Sequence, residues 1–396
     1  MKKKILGLFI CMLLMATAVP AVESLKINMI NSTFPRIPRS IVADNWTEMQ
    51  KLLAADGTTG DRFGWSVSID NSTALIGAYN HNLSGTVYVF IRIGASWVQQ
   101  AELISPDGGL AAGFGSSVSL AGNTALISAP GIEAAYVFTR TGTTWIQQQK
   151  LFVDATNQNY FGCSVSLDGD SALIGAPFDD DNGNFSGAAY IFTRTGTTWT
   201  QQQKLLASDG TEMNIFGYSV SLDGDTVLIG ACLNDDYGNQ SGSAYVFTRS
   251  GTTWTQQQKL FPSDSEAGDS FGNSVSLSGD TALIGAFGDN DNGDMSGSAY
   301  LFTRIGTTWI QKQKLLASDG TNGDHFGWSV DLSEDTILIG AIYDDDKGSD
   351  SGSAYVYTRT DATWTQRAKL LASDGTIDDF FGWSVSISDN IAIIGV

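Results

Sequence analysis

The fold is decided by residues 161–176, which read FGCSVSLDGDSALIGA. Small polar and apolar residues alternate in the first half of this stretch, a pattern typical of a β-strand, and Asp-Gly-Asp then predicts a tight hairpin turn. The second half is almost continuously apolar, as expected of a strand that is buried on both faces. Two further strand-like segments follow at residues 189–194 and 199–206. This unit therefore contains four predicted strands.

The same unit occurs seven times. Its Phe-Gly dipeptides are separated by 51, 47, 55, 55, 55 and 55 residues, and a tryptophan opens each fourth strand. A period of this size indicates a solenoid, a propeller or an array, and no segment shows helical periodicity. We therefore predict an all-β fold over residues 46–396, a seven-bladed β-propeller of four-stranded antiparallel blades. The dipeptides begin at Phe63, Phe114, Phe161, Phe216, Phe271, Phe326 and Phe381, and the tryptophans are Trp46, Trp97, Trp145, Trp199, Trp254, Trp309 and Trp364.

The last blade is predicted to be incomplete. The repeats open with a lone tryptophan strand at Trp46, and the sequence ends halfway through the seventh unit, at residues 394–396. We expect the N-terminal strand to latch the ring as the outer edge of the seventh blade, for which the sequence offers no third strand. Either the sequence is truncated, which is the interpretation we favour, or the blade has a gap that exposes unpaired strand edges.

The first residues have the pattern of an export signal. Lys2, Lys3 and Lys4 precede an apolar run over residues 5–19, and a plausible cleavage site follows at residues 19–21. The run is too short for a transmembrane helix, so we predict a cleaved signal peptide over residues 1–21 and an N-terminal tail over residues 22–45. The alternative is an uncleaved anchor. We expect the mature protein to be secreted or displayed on the cell surface, with no membrane span.

Composition limits both the partners and the chemistry. The formal net charge is −20 at pH 7, so the chain repels nucleic acid and anionic membranes. Carboxylate pairs recur in every unit, whereas a catalytic site needs one asymmetric pair with separated pKa values. The sequence has no serine-hydrolase elbow, zinc-protease motif or phosphate-binding loop. These features predict a protein that is not an enzyme.

The combination of Phe-Gly with a later Gly-Ala resembles the FG-GAP repeat of integrin α-chain N-terminal propellers and their prokaryotic relatives. The third unit has the complete form, Phe161-Gly162 with Gly175-Ala176-Pro177, and the resemblance spans residues 46–396. It implies an extracellular binding or adhesion module. Many members of this family hold calcium in the hairpin between the first two strands of a blade. Here those hairpins, such as residues 168–170, are too short to surround a cation.

A calcium site is instead predicted in the loop between the second and third strands. Carboxylate and amide oxygens cluster there near a glycine, and hard cations prefer such ligands. Their spacing does not match the strict calcium-loop pattern, and the alternative is a solvated acidic turn that keeps an exported protein in solution. The candidate metal ligands are Asp179, Asp180, Asp181, Asp235, Asp236, Asp289, Asp291, Asp344, Asp345 and Asp346.

The topology predicts one binding face. In a four-stranded meander, the loop between the second and third strands and the connection to the next blade emerge on the same side, and both are acidic here. Shortened loops in the first two units predict a notch at Tyr79, His81 and Glu133, with neutral drift of loop length as the alternative. A specific aromatic site is predicted where the residue after Phe-Gly varies between units, at Trp65, Trp328 and Trp383.

We interpret the chain as a non-catalytic extracellular binding or adhesion module that uses its loop-rich acidic face, with calcium as the one candidate cofactor. The alternatives are a carbohydrate-recognition or substrate-targeting module of a larger exported enzyme, and a structural envelope protein. The expected partner is an extracellular protein or a glycan, and the sequence does not indicate an oligomeric state. Calcium-dependent protein binding would favour the first interpretation, and specific glycan binding the second.

Overall fold

The computed structural model describes residues 27–32, 46–154 and 158–396. The predicted signal peptide over residues 1–21 lies outside the described residues, as does most of the predicted tail over residues 22–45. The described residues form 28 β-strands and two short 3-10 turns, and the strands make seven four-stranded sheets. Within these residues, no helix is long and apolar enough to cross a membrane. The predicted all-β propeller is confirmed.

Each of the first six blades is one continuous stretch of chain. Blade 1 contains β3 (Phe63–Asp70), β4 (Thr73–Ala78), β5 (Thr86–Ile93) and β6 (Ser96–Leu103), and blade 2 contains β7 (Val118–Ala121), β8 (Thr124–Ala129), β9 (Ala134–Thr141) and β10 (Thr144–Leu151). Blade 3 contains β11 (Val165–Asp168), β12 (Ser171–Ala176), β13 (Ala188–Thr195) and β14 (Thr198–Leu205), and blade 4 contains β15 (Ser219–Asp223), β16 (Thr226–Ala231), β17 (Ser243–Ser250) and β18 (Thr253–Leu260). Blade 5 contains β19 (Val275–Ser278), β20 (Thr281–Ala286), β21 (Ser298–Ile305) and β22 (Thr308–Leu315), and blade 6 contains β23 (Phe326–Ser333), β24 (Thr336–Ala341), β25 (Ser353–Thr360) and β26 (Thr363–Leu370). The 3-10 turns are His81–Leu83 and Pro130–Ile132.

The hydrophobic core lies between the blades. All six residues of β12, a second strand, are buried, as its continuous apolar sequence predicts. Phe161 packs edge-to-face on Tyr190 of its own blade, with ring centroids 5.5 Å apart. The same cluster includes Leu126 and Val137 of blade 2. A blade therefore buries its faces only against its neighbours, which is why a single repeat could not form a stable sheet alone.

Hydrogen bonds between inner strands join adjacent blades. Ser66 Oγ donates to Gly115 O at 2.8 Å, and Ser384 Oγ donates to Gly64 O at 2.7 Å, which closes the ring between the last and first blades. Two residues further along the strand, another serine hydroxyl accepts a backbone N–H from the next blade. This second serine is Ser68, Ser119, Ser166, Ser221, Ser276 or Ser386. In blade 6 the position is occupied by Asp331, whose Oδ2 accepts the Ile387 N–H at 2.8 Å.

Asp331→Ser is expected to stabilise the protein at pH 7, by on the order of 1 kcal/mol. Burial raises the pKa of Asp331, although hydrogen bonds from Ile387, Ser276 and Leu332 oppose that rise. The folded state therefore holds the proton more tightly than the unfolded state, so stability falls as the pH rises from about 4 through the raised pKa. Serine keeps an acceptor for Ile387 and carries no charge.

Denaturant unfolding of both proteins between about pH 3 and pH 8 tests this prediction. The advantage of Asp331→Ser should shrink toward the acid end, where the wild-type carboxyl is protonated. A wild type that is as stable as the variant at pH 7 would show that the hydrogen bonds fully offset the burial of the carboxylate.

The seventh blade combines both ends of the chain. Its inner strands are β27 (Val385–Ser388) and β28 (Ile391–Ile394), and β2 (Trp46–Leu52) forms the outer edge, as the sequence predicts. Between them lies β1 (Ile27–Ser32), which pairs with β28 on one side and with β2 on the other. The expectation that this blade lacks a third strand is therefore corrected, and the strand comes from the segment predicted to be a tail.

The junction between the seventh and first blades has the same outer contacts as other junctions. Gln50 Nε2 donates to Trp97 O at 2.9 Å, and Trp97 N–H donates to Gln50 Oε1 at 2.8 Å. Gln203 and Trp254 make the same pair of bonds between blades 3 and 4. Strand β2 therefore holds the position that a fourth strand holds in other blades.

Candidate binding cavity

A cavity of about 730 Å³ opens at the axis of the propeller. The residue after each Phe-Gly dipeptide lines it, so every blade contributes one side chain from this position. This position varies between repeats, whereas the serine and valine that follow it recur. The seven residues are Trp65, Ser116, Cys163, Tyr218, Asn273, Trp328 and Trp383.

Aromatic side chains form one continuous side of this cavity. Blades 6, 7 and 1 are neighbours in the ring, so Trp328, Trp383 and Trp65 lie side by side, with successive ring centroids 5.2 Å and 4.6 Å apart. Tyr79 extends the row, 4.6 Å from Trp65. We call Trp65, Tyr79, Trp328 and Trp383 the aromatic wall. The structure thus brings the three predicted tryptophans together, and their role in binding stays a prediction.

The aromatic wall is supported from behind. Trp328 is only 8% exposed and packs 5.3 Å from Phe287, in a cluster with Ile342 and Phe380. Trp65 and Trp383 are half-buried. Side chains held in this way lose little conformational freedom when a ligand binds, which favours a preformed site.

The cavity lining carries no charge. In the part of the chain that the structure describes, no Asp, Glu, Lys, Arg or His lines the cavity, although the chain carries a net charge of −20. Its polar groups on the side of blades 2 to 5 include the hydroxyls of Ser116, Tyr160 and Tyr218 and the amide of Asn273. The lining therefore combines aromatic faces with uncharged hydrogen-bonding groups.

The shortened loops widen the cavity on one side. Leu83 in blade 1 and Gly131 in blade 2 both reach the lining from the loop between the second and third strands. In blades 4 and 5 that loop instead contributes Leu233 and Phe287 to packed hydrophobic clusters. The cavity lining is therefore asymmetric, since it includes these loop residues of blades 1 and 2 but not those of blades 4 and 5.

Of the residues predicted to form the notch, Tyr79 lines the cavity. His81 is 5% exposed, and its Nδ1 lies 2.8 Å from Asp61 Oδ2. Glu133 Oε1 accepts the Asn159 N–H at 2.7 Å and so holds the connection into blade 3. The structure gives His81 and Glu133 these contacts within the fold and places both outside the cavity lining.

The acidic loops surround the mouth of the cavity. The loop after the second strand of blade 3 bonds to the connection entering blade 4, where the Phe216 N–H donates to Ser186 O at 2.9 Å. Phe271 and Ser241 make the same bond between blades 4 and 5 at 3.0 Å. These connections lead directly to the residues that line the cavity. The predicted placement of both sets of loops on one face is confirmed.

Lysine side chains pair with the acids of these loops. In blade 5, Lys314 Nζ lies 2.8 Å from Asp289, 2.7 Å from Asp291 and 2.9 Å from Asp264. The lysine comes from the fourth strand of the same blade and recurs at the same repeat position. The other contacts join Lys204 to Asp179 and Asp181, Lys259 to Asp209 and Asp236, and Lys369 to Asp319, Asp344 and Asp346.

The first two acids of each loop also have structural partners. Asp289 is 3% exposed and accepts the Tyr300 hydroxyl at 2.8 Å. Burial acts to raise the pKa of Asp289, but hydrogen bonds from Lys314, Tyr300 and Ser298 hold it below its usual value. The second acid closes its own turn, since the Oδ1 atoms of Asp180, Asp235 and Asp345 each accept a backbone N–H five residues later.

These contacts do not favour a metal in the acidic loops. A lysine ammonium lies where a cation would have to bind, and it already contacts the aspartates at the first and third positions of the loop in blades 3, 5 and 6. Among the described residues, no group of three or more His, Cys, Asp or Glu side chains is arranged to hold a metal ion. Calcium binding therefore stays a prediction for which the donor set does not fit.

Several cavity residues were not predicted. The variable position after Phe-Gly was a sufficient signal for Cys163, Tyr218 and Asn273, but only its tryptophans were used. Tyr160 and Phe178 stack with ring centroids 5.3 Å apart at the cavity edge, and they lie in loops outside the repeat pattern. Cys163 forms no disulfide with the buried Cys232.

A ring of four-stranded blades around an axial cavity, without a helical layer in the described residues, defines a β-propeller of the kind that serves in binding. The model of the FG-GAP repeat matches residues 46–90, 97–138, 145–192, 199–247, 254–302, 309–357 and 364–396. The chain belongs to the FG-GAP repeat family, and a relationship to integrin-type propellers is consistent with this. FG-GAP repeats are typical of extracellular proteins, and their propeller is typically non-catalytic. No curated protein gives a significant match to the chain.

Proposed function

We propose that the protein is a non-catalytic, extracellular binding or adhesion module whose ligand enters the axial cavity and contacts the aromatic wall. The observation that carries this proposal is the contiguity of Trp328, Trp383 and Trp65 at the mouth. Partly exposed aromatic side chains in a concave site are the residues that most often dominate binding energy. The family and its fold support a binding role.

Export, a rigid closed ring and binding without calcium are supported by other observations. The N-terminal pattern supports export to the cell surface or the medium. The bonds from Ser384 to Gly64 and between Gln50 and Trp97 support a closed, seven-bladed ring that acts as a rigid platform. The lysine contacts of the acidic loops support binding that does not need calcium.

Trp383→Ala is expected to weaken binding by at least about tenfold, because it removes the central side chain of the aromatic wall. Purified full-length protein is tested by surface plasmon resonance against extracellular proteins and polysaccharides. Thr197→Ala is the matched control, since Thr197 is exposed in a hairpin on the opposite face. This control should bind as the wild type does.

Trp383→Phe distinguishes loss of a ligand contact from damage to the fold. It keeps an aromatic face and should restore most of the affinity, and thermal melts of all variants verify that the propeller is intact. Equal binding by the wild type and Trp383→Ala would place the site elsewhere and would refute the proposal. The proposal would also be refuted if none of the proteins and polysaccharides tested showed saturable binding.

A further inference from the structure

We propose that the axial cavity binds the end of a neutral glycan chain. This inference rests on the proposed function, because it names the ligand class for the same cavity. Three features of the lining carry it: the absence of charge, the shape of the aromatic wall and the uncharged polar groups that face it.

The absence of charge selects an uncharged ligand. An anionic ligand would be repelled by a chain of net charge −20, and acidic loops surround the cavity mouth. A cationic ligand would pass those loops but would lose its hydration in a cavity whose described lining offers it no carboxylate. A neutral ligand is not repelled by the acidic loops and has no charge whose hydration would be lost.

The aromatic wall selects a ligand with an apolar, non-planar face. The planes of Trp65 and Trp383 are inclined by 40°, and those of Trp328 and Trp383 by 50°. A flat aromatic ligand stacks best in a slot with parallel walls, whereas the rings of this wall are inclined to one another. The C–H face of a pyranose ring is puckered and apolar, and it can pack against such a surface by dispersion and hydrophobic contact.

The opposite side of the cavity suits the hydroxyl groups of the same ring. Ser116, Tyr160 and Tyr218 bring hydroxyls to the lining, and Asn273 brings an amide. Asn273 Nδ2 already donates to Trp328 O and Ser116 Oγ to Gly113 O, so these two side chains offer their oxygens as acceptors for sugar hydroxyls. Two residues further along the inner strands, away from the connecting loops, the lining includes the apolar side chains of Val220 and Val330. A polar chain would therefore enter by its end and would not run through the axis.

The test compares glycans that differ mainly in charge. Neutral N-acetylchitohexaose is paired with its cationic deacetylated form, and neutral, fully methyl-esterified polygalacturonate with its anionic de-esterified form, with cello- and manno-oligosaccharides added. Binding to the full-length protein is followed by isothermal calorimetry and tryptophan fluorescence. The variants are Trp65→Ala and Trp383→Ala. Trp145→Phe is the control, because Trp145 lies on the outer strand β10, far from the cavity.

Cys163 provides a second readout. Its thiol lines the cavity, whereas Cys232 is buried elsewhere, so a bound glycan should slow alkylation of Cys163 in the wild type. This protection should be lost in Trp383→Ala, which does not alter the thiol itself. Slower alkylation of Cys163 would place the ligand in the cavity even if the tryptophan fluorescence changes little.

The proposal expects saturable binding of at least one neutral glycan, with affinity reduced about tenfold or more in both alanine variants and unchanged in Trp145→Phe. Tighter binding of a charged member of either pair would overturn it. A protein partner that needs Trp383, together with no neutral glycan that binds, would overturn the glycan inference and leave the proposed function standing. A partner whose binding ignores Trp383 would overturn both.

Discussion

Lys314→Met is expected to lower the free energy of unfolding by about 3 kcal/mol. The substitution keeps most of the aliphatic stem of the side chain but removes the ammonium group that contacts Asp264, Asp289 and Asp291. Asp289 is 3% exposed, so its carboxylate would be left buried without a cation. Such an unpaired buried charge is among the most destabilising changes in a folded protein.

Lys312→Met is the matched control for this prediction. Lys312 lies on the same strand, β22, and is exposed, so the variant has the same change in charge without the buried contacts. Its stability should stay within about 0.5 kcal/mol of the wild type. Denaturant unfolding measures both variants. Adding Asp289→Asn to Lys314→Met should recover much of the loss, since blade 4 carries Asn234 at this position.

The role of Lys314 also predicts how the wild type responds to calcium. If the lysine is the cation of the loop, the melting temperature of the wild type should not rise saturably with calcium relative to magnesium. A calcium-specific rise that is lost in Asp289→Asn would contradict the structural role assigned to Lys314. Similar losses of stability in Lys314→Met and Lys312→Met would contradict it independently.

The repeat made the propeller predictable from the sequence. Four strands at a constant period leave few folds, and the position after Phe-Gly identified the tryptophans because it varies while its neighbours recur. The lysine contacts were missed because Lys314 lies 25 residues after Asp289, on another strand. A usable signal was present, since a lysine recurs at the same repeat position wherever an acidic loop precedes it, at Lys204, Lys259 and Lys369.

The strand β1 could not be found by the same reasoning. Its sequence, INMINS, lacks the Ala-Tyr-Val-Phe pattern of the other third strands, and its partner β28 lies at the far end of the chain. Pattern matching detects what is repeated, whereas this strand differs from its counterparts. Of the predicted notch residues only Tyr79 lines the cavity, because loop length alone did not show that His81 contacts Asp61.

Met29→Pro is expected to destabilise the seventh blade by about 3 kcal/mol or more. Met29 pairs with Ile393 on β28 and with Gln50 on β2, so it lies in the interior of the sheet. Proline cannot donate a ladder hydrogen bond, and in sheets it is found at edges, at strand starts and at bulges. The register of β1 against β2 shifts after Met29, but its pairing with β28 is regular there. Because this blade joins the two ends of the chain, the damage should weaken the closure of the whole ring.

Met29→Val is the matched control, since valine keeps the backbone N–H and favours extended backbone. Hydrogen exchange followed by mass spectrometry should show lost protection in β28 and β2 of the proline variant, with β12 in blade 3 unaffected at short times. If both variants instead melt and exchange alike, then β1 does not fill the gap between β2 and β28 that the sequence predicts. The blade would then lack its third strand, and the ring would be held by one N-terminal strand. The proline variant therefore distinguishes a blade completed by residues 27–32 from one with a gap.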